Sequence, residues 1–391
     1  MRILIATPQI GHAWGGAGTY VHELVGVLGR SNEVMIITAG SEPVIPGAAE
    51  VRAISSAVGV MRTYALFQLS LRRNMPGLVR EFRPDAILVN HTEMSDLLCA
   101  RTGSTPPIVV TAHTLLRTQV KSALEGYLRG NRLDRSEVAV LSLAAALLPL
   151  EAAYWRQTRH AIFVSNWIRR EILGSLQTNL ETSAVIPNGV SAPDRTSHQA
   201  IPIPEADAAR IVFVGRLLAT KGLGVLIQAL RLILDLPWEC VIIGPGASGS
   251  WEARARVMGV DSRIRFLGQL PRPQVLRIME GSDIFVLPSF SESCPYTLLE
   301  AMQSSLAVVA SRVGDIPEIV EEGRAGLLFE PGRADTLGQA LRTLLLDQTL
   351  RRSKGSAARA IIDKRFTAEI MGASTLRALE EMVNASRPQG I

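Results

Sequence analysis

Four short stretches bring together residue types that can handle a phosphorylated ligand. Gly215-Arg216-Leu217-Leu218-Ala219-Thr220-Lys221-Gly222 carries an arginine and a lysine five positions apart, between an expected strand and an expected helix. Arginine grips a phosphate as a planar fork and lysine as a point charge, so the two can share one diphosphate. A solvated basic loop is the plainer reading. Only four basic residues are lysines, and one of them falls here. In Glu292-Ser293-Cys294-Pro295-Tyr296-Thr297-Leu298-Leu299-Glu300 two carboxylates sit eight apart across an expected helix start. Backbone amides at such a start favour an anion. Glu300 lies among Leu298, Leu299, Ala301 and Met302. A carboxylate in apolar surroundings needs a partner, because unpaired burial is costly.

Two glycine clusters need separate treatment. Gly15-Gly16-Ala17-Gly18 precedes an expected helix, where glycines let the backbone approach a ligand, or simply allow a turn with positive φ. Gly244-Pro245-Gly246-Ala247-Ser248-Gly249 fits the dinucleotide fingerprint G-x-G-x-x-G. It follows the second strand of its unit, and the next strand ends Leu267-Gly268-Gln269 with no acid for a ribose. A phosphate- or base-lining turn is therefore expected there rather than an NAD site. His113, at the end of an expected strand, can donate to a sugar hydroxyl, stabilise developing charge, or be a satisfied structural residue. Asn188-Gly189 is first of all a turn signal.

Parallel strands with covering helices would position these stretches. Short apolar runs at 3–6, 34–38, 86–90, 108–111, 162–165 and 185–186 read as buried strands, with helices at 18–28 and 136–154. After a Pro- and Ser-rich stretch at 190–204 the pattern restarts. Strands are expected at 211–214, 240–243, 264–267, 284–287, 307–310 and 327–329, and helices at 223–234, 295–302 and 335–346. The tail at 365–385 reads as one or two more helices. The fold class is thus α/β, in two units. The expected domains are 1–195, joined by the tail 370–391, and 196–369. Ligands of such sheets sit beyond the carboxyl ends of the strands.

Length and composition agree. At roughly 100–200 residues per domain, 391 residues give two domains. Hydrophobic residues make up 47% and charged residues 20%, which excludes a disordered chain, a collagen-like fibre and a disulfide scaffold. The net charge of +5 is too small and scattered for a nucleic-acid protein. Residues 1–195 hold 19 basic against 15 acidic side chains, so most of the surplus lies in the first half. Cys99, Cys240 and Cys294 form no CxxC pair, so neither structural zinc nor a secreted framework is expected, and a cytoplasmic location is. The N-terminus reads as a strand rather than a signal peptide. The most apolar stretch, 138–150, is expected to be too short for a bilayer, which takes about 20 residues. Residues 62–83 carry Arg62, Arg72, Arg73, Arg80 and Arg83 among Leu66, Phe67, Leu69 and Leu71. A surface helix packed on the sheet is the favoured reading, and a peripheral contact with an anionic membrane at its inner face the other.

Taken together, these motifs resemble the retaining glycosyltransferases of family 4, which have the GT-B fold. The resemblance rests on Gly15-Gly16-Ala17-Gly18, Phe163-Val164-Ser165, Pro187-Asn188-Gly189-Val190, Val214-Gly215-Arg216 with Lys221-Gly222, the Glu292/Glu300 pair, Gly314-Asp315-Ile316-Pro317-Glu318-Ile319-Val320, Gly326-Leu327-Leu328 and Asp335. It implies two Rossmann-like domains facing across a cleft, with a C-terminal helix crossing back to the first. A nucleotide-sugar donor would be held mainly by the second. Arg216 and Lys221 would clamp the diphosphate, Glu300 hold the ribose and Glu292 the donor-sugar hydroxyls. The amides of Thr297 and Leu298 would bind phosphate. Gly16 would approach the donor phosphate or acceptor, and His113 would lie near the transferred sugar.

The family often has glycine where this chain has Pro295, which removes one backbone donor and bears on donor-sugar identity. The implied reaction moves a hexose-type sugar to a hydroxyl acceptor with retention, in glycan, glycolipid or glycosylated-metabolite biosynthesis. No D-x-D triplet occurs, so no metal and no separate cofactor are expected. A nucleotide-sugar epimerase or a non-catalytic nucleotide-sugar-binding protein on the same fold is the alternative.

Overall fold

The computed structural model describes residues 1–8, 15–40, 44–55, 60–91, 106–129, 133–192 and 208–386. Cys99 and most of the expected linker lie outside them, as do the side chain of Arg62 and the last five residues. The chain divides into two compact units. The first comprises Met1–Leu116, Ala145–Ser191 and Thr367–Ile391, and the second Arg117–Ala144 and Ala192–Phe366.

The first unit is built on a parallel sheet of β1 (Arg2–Ala6), β2 (Glu33–Ala39), β3 (Glu50–Ser55), β4 (Ala86–His91), β5 (Ile108–Ala112), β6 (His160–Phe163) and β7 (Thr182–Val185). The spatial order is β3-β2-β1-β4-β5-β6-β7. Runs such as Ile3-Leu4-Ile5-Ala6 are wholly buried, as a sheet covered on both faces requires. The edge strand β3 (EVRAIS) has no apolar run and is half-buried throughout, so the hydrophobic signal missed it. Helices α1 (Gly16–Leu28) and α2 (Val60–Phe82) belong to this unit. The favoured reading of 62–83 holds: Phe67, Leu71, Met75, Leu78 and Phe82 of α2 enter the core.

Helices α3 (Leu116–Leu128) and α4 (Arg135–Gln157) follow β5, and α5 (Asn166–Ser175) follows β6. The Ser165 hydroxyl caps α5 by accepting from the Ile168 amide at 3.1 Å. Two expectations need correction here. Residues 117–144 fall in the second unit, although in sequence they lie between strands of the first. Glu137 accepts hydrogen bonds from the Ala219 and Thr220 amides, and the Gly126 backbone abuts Ala219 so closely that a Cβ there would lie 3.2 Å from it. The apolar run at 138–150 also sits inside a longer helix. The 23 residues of α4 are long and apolar enough to cross a membrane by length and composition alone, with a mean hydropathy of 1.7 over an 18-residue stretch.

The second unit repeats the plan with β8 (Ala209–Val214), β9 (Trp238–Ile243), β10 (Ile264–Gly268), β11 (Ile284–Leu287), β12 (Ala307–Ser311) and β13 (Gly326–Phe329), ordered β10-β9-β8-β11-β12-β13. It is covered by α6 (Leu223–Arg231), α7 (Gly249–Met258), α8 (Arg272–Glu280), α9 (Tyr296–Gln303), α10 (Ile316–Ile319), α11 (Ala334–Leu346) and α12 (Gln348–Arg365). The core runs from Ile211 and Phe213 through Leu226 and Leu230 to Val309 and Leu341. The last helix, α13 (Ala368–Ala385), rejoins the first unit. Val190 bridges Thr367, and at Gly189 a side chain would collide with the Thr367 carbonyl. That close approach explains the glycine that the sequence offered only as a turn. On α1, Val27 packs against Gly372.

Candidate functional site

In the second unit, β8 and β11 are parallel neighbours whose connections leave in opposite directions along the sheet. Such a switch point opens a crevice beyond the strand ends, and ligands of doubly wound sheets bind there. The loops 215–222 and 288–295 emerge at this place. They are locked together: Phe290 N–H donates to the Thr220 carbonyl at 2.9 Å. Gly222 is left-handed (φ 70°), and a Cβ added to it would lie 1.9 Å from the Pro288 oxygen. Only glycine fits.

Lys221 and Glu292 meet across these loops. The Lys221 Nζ donates to Glu292 Oε1 at 2.6 Å, and the Ser289 hydroxyl donates to the same oxygen at 2.7 Å. Arg216, earlier on the same loop, is exposed and donates to the Ser136 hydroxyl at 3.3 Å. Glu300 has the partner that its apolar neighbours demanded. It is 6% exposed and accepts from Arg272 Nε at 2.6 Å. Arg272 opens α8, 28 residues earlier, and no spacing rule in the sequence links the two.

Pro295 precedes α9 with φ −74°, where its missing N–H disrupts no helical bond. The Leu298 amide is already engaged with the Pro295 carbonyl at 3.1 Å, a tight 3₁₀-like first turn. The Thr297 amide donates to nothing among the described residues.

The G-x-G-x-x-G look-alike has a packing explanation. Gly244 and Gly246 both have positive φ, and side chains there would strike the Gly215 oxygen and Leu217. Leu217 N–H donates to the Pro245 carbonyl at 2.9 Å. The turn is a floor under the basic loop. Glu137, buried at the start of α4, holds that loop from another direction through the Ala219 and Thr220 amides at 3.3 and 3.0 Å. The sequence reading missed Glu137, whose position three residues after Asp134 is a capping signal it could have used. Asp134 Oδ1 accepts from the Glu137 amide, and Glu137 Oε2 from the Asp134 amide.

The first unit holds Gly16 and His113. Gly15 caps α1 with φ 83°, and Gly16 is exposed at the first helical position. His113, just past β5, is half-buried, with Tyr20 edge-on at 4.7 Å between ring centroids. Burial pushes the Tyr20 phenol up to about 12, so it stays neutral. His113 Nε2 lies 2.6 Å from Asn90 Oδ1. Asn90 was read only as the last residue of a strand, and nothing in its neighbours signals more.

Comparison with known proteins follows the same division of the chain. A family model described as Glycosyltransferase Family 4 matches residues 14–192, and one described as Glycosyl transferases group 1 matches 208–347. A D-inositol 3-phosphate glycosyltransferase of Corynebacterium glutamicum is 37% identical over 157 residues, a match covering 38% of this chain and 38% of the relative. A sulfoquinovosyl transferase of Arabidopsis thaliana is 34% identical over 163 residues, covering 41% of this chain and 31% of the relative. Similarity of fold extends further. Sucrose-phosphate synthase from Thermosynechococcus elongatus superposes with a TM-score of 0.78 at 17% identity, over 98% of this chain and 99% of that one. HepE of Anabaena, solved with UDP-glucose, gives 0.70 at 18% identity, over 97% and 100%. On this evidence of motif, fold and family match, the chain belongs to the glycosyltransferases of family 4 and has the GT-B fold.

Proposed function

We propose that this protein moves a hexose-type sugar from a nucleotide diphosphate sugar to a hydroxyl acceptor, with retention of anomeric configuration and without a metal ion. The observation that carries this reading is the pairing of Lys221 with Glu292 at the β8/β11 switch point, beside the start of α9. A cation at that place suits a pyrophosphate, and a carboxylate suits sugar hydroxyls. Relatives that are glycosyltransferases, and a neighbour of like fold solved with UDP-glucose, support a nucleotide-sugar donor.

In the proposed step the bond from the anomeric carbon to the β-phosphate oxygen breaks. The acceptor oxygen bonds to the same face, and its proton passes to the leaving phosphate. Charge grows on that phosphate, and Lys221, Arg216 and the Thr297 amide would stabilise it without reorganising. Glu300, oriented by Arg272, would take the ribose hydroxyls. Gly16 and His113 would serve the transferred sugar. A peripheral contact with an anionic membrane is proposed on α2, where Leu69 is 58% exposed beside Arg72 and Arg73, and binding to anionic vesicles at low salt tests it.

The deciding experiment incubates the protein with a panel of UDP- and GDP-sugars and follows nucleotide release with and without hydroxyl acceptors. Acceptor-dependent release that survives a chelator, with a product of unchanged anomeric configuration by NMR, is the expected result. A sugar epimerised without acceptor, or a trapped glycosyl–enzyme adduct, would overturn the assignment or the one-step mechanism respectively.

A further inference from the structure

We propose that Asn90 is a positioning residue that fixes the protonation site of His113 and ties its ring to the glycine-rich turn at the start of α1. The first unit has its own switch point, between β1 and β4, which are parallel neighbours. Asn90 sits on β4 at this place and is fully buried. Its Nδ2 lies 3.2 Å from the Thr7 hydroxyl, just past β1, and 3.1 Å from the Ala17 carbonyl oxygen in α1. A carbonyl only accepts, so the amide edge facing Ala17 must be the NH₂ group. The other edge, Oδ1, therefore faces His113 and can only accept. His113 Nε2 must carry the proton it donates across 2.6 Å.

One carboxamide thus sets two things at once. It orders the imidazole as the Nε2–H form and leaves Nδ1 as the nitrogen that gains or loses a proton. It also holds the first turn of α1 through the Ala17 carbonyl, next to Gly16 in the chain. Tyr20, on that helix, packs its neutral phenol edge-on against His113 and adds no charge. Because Asn90 touches His113 directly and Gly16 only through the adjoining Ala17, it acts on turnover through the groups that the proposed function assigns to the transferred sugar. This consequence rests on that functional reading, whereas the protonation pattern does not.

The test has two arms. In the first, the protein is labelled with ¹⁵N-histidine, and the His113 signals, among six histidines, are identified by their loss in His113→Gln. Wild type should show Nε2 protonated at neutral pH, and Asn90→Ala should lose that fixed pattern. In the second arm, Asn90→Ala should lower kcat by on the order of 10- to 100-fold while the affinity for UDP or GDP is unchanged. Asn90→Asp preserves shape but places a carboxylate beside Nε2, so the acid limb of the kcat profile should move up by about one pH unit or more. An Nδ1–H ring in wild type, or Asn90 variants with the wild-type kcat and pH profile, would overturn the proposal. If wild type shows the Nε2–H ring yet transfers no sugar from any donor, the positioning stands and the functional reading falls.

Discussion

Replacing Glu292 by glutamine should strengthen the binding of a bare nucleoside diphosphate while weakening sugar transfer. In the free protein, Lys221 Nζ is already held by Glu292 Oε1 at 2.6 Å, so an incoming pyrophosphate competes with a carboxylate. At that separation and an effective dielectric constant of about 20, the bare attraction is about 6 kcal/mol. Desolvation and screening remove most of it, and a charge-assisted hydrogen bond nets roughly 1.5–3 kcal/mol. The Lys221 side chain is 28% exposed, which places the pair at the lower end. Removing the competing charge therefore gains about 1.5 kcal/mol, or about tenfold in affinity. Glutamine retains an acceptor for the Ser289 hydroxyl, so the loop should keep its shape. Isothermal titration with UDP and with GDP measures the first effect, and nucleotide release from the sugar donor the second. An affinity that is unchanged or weaker would show that Lys221 does not reach the pyrophosphate.

Gly222→Ala adds a left-handed non-glycine residue and a methyl group overlapping the Pro288 oxygen, costing roughly 2–4 kcal/mol in urea denaturation; an unchanged midpoint would refute the packing argument. Glu137→Ala leaves the buried Ala219 amide and the Thr220 amide without their acceptor. A loss of about 1–3 kcal/mol and weaker nucleotide binding are expected, with Glu137→Gln in between. Burial holds the His160 imidazole below its ordinary value of 6.5, so the unfolded chain takes up a proton first. Stability should fall as pH drops through 6.5 toward the folded value, and His160→Gln should flatten that slope in melting curves taken across the range.

Most strands were legible because they are continuous Ile/Val/Leu runs between polar turns, as parallel strands buried on both faces must be, whereas the half-buried edge strand β3 was not. The strands at 160–163 and 182–185 begin two and three residues earlier than read, since His160 and Thr182 open them with polar side chains. The helix α12 went unread because its buried stripe is only Gly355, Ala358, Ile361 and Ile362, too narrow and too small to raise a periodic signal. The motifs marked Lys221 and Glu292 separately as site residues, but their ion pair across 71 positions was not read. The partners Arg272, Glu137 and Asn90 were not read either, because each acts on a residue 23 or more positions away, and only the folded chain brings them together.

The first unit is assembled from three separated stretches, the last of which is α13. On the ribosome, the strands that open the chain emerge early, yet the helix that covers α1 is translated only after the whole second unit. Vectorial synthesis therefore leaves the α1 face beside Val27 bare until the end of translation. A chain stopped anywhere before Thr367 would carry that apolar face into solution, a target for chaperones and a seed for aggregation.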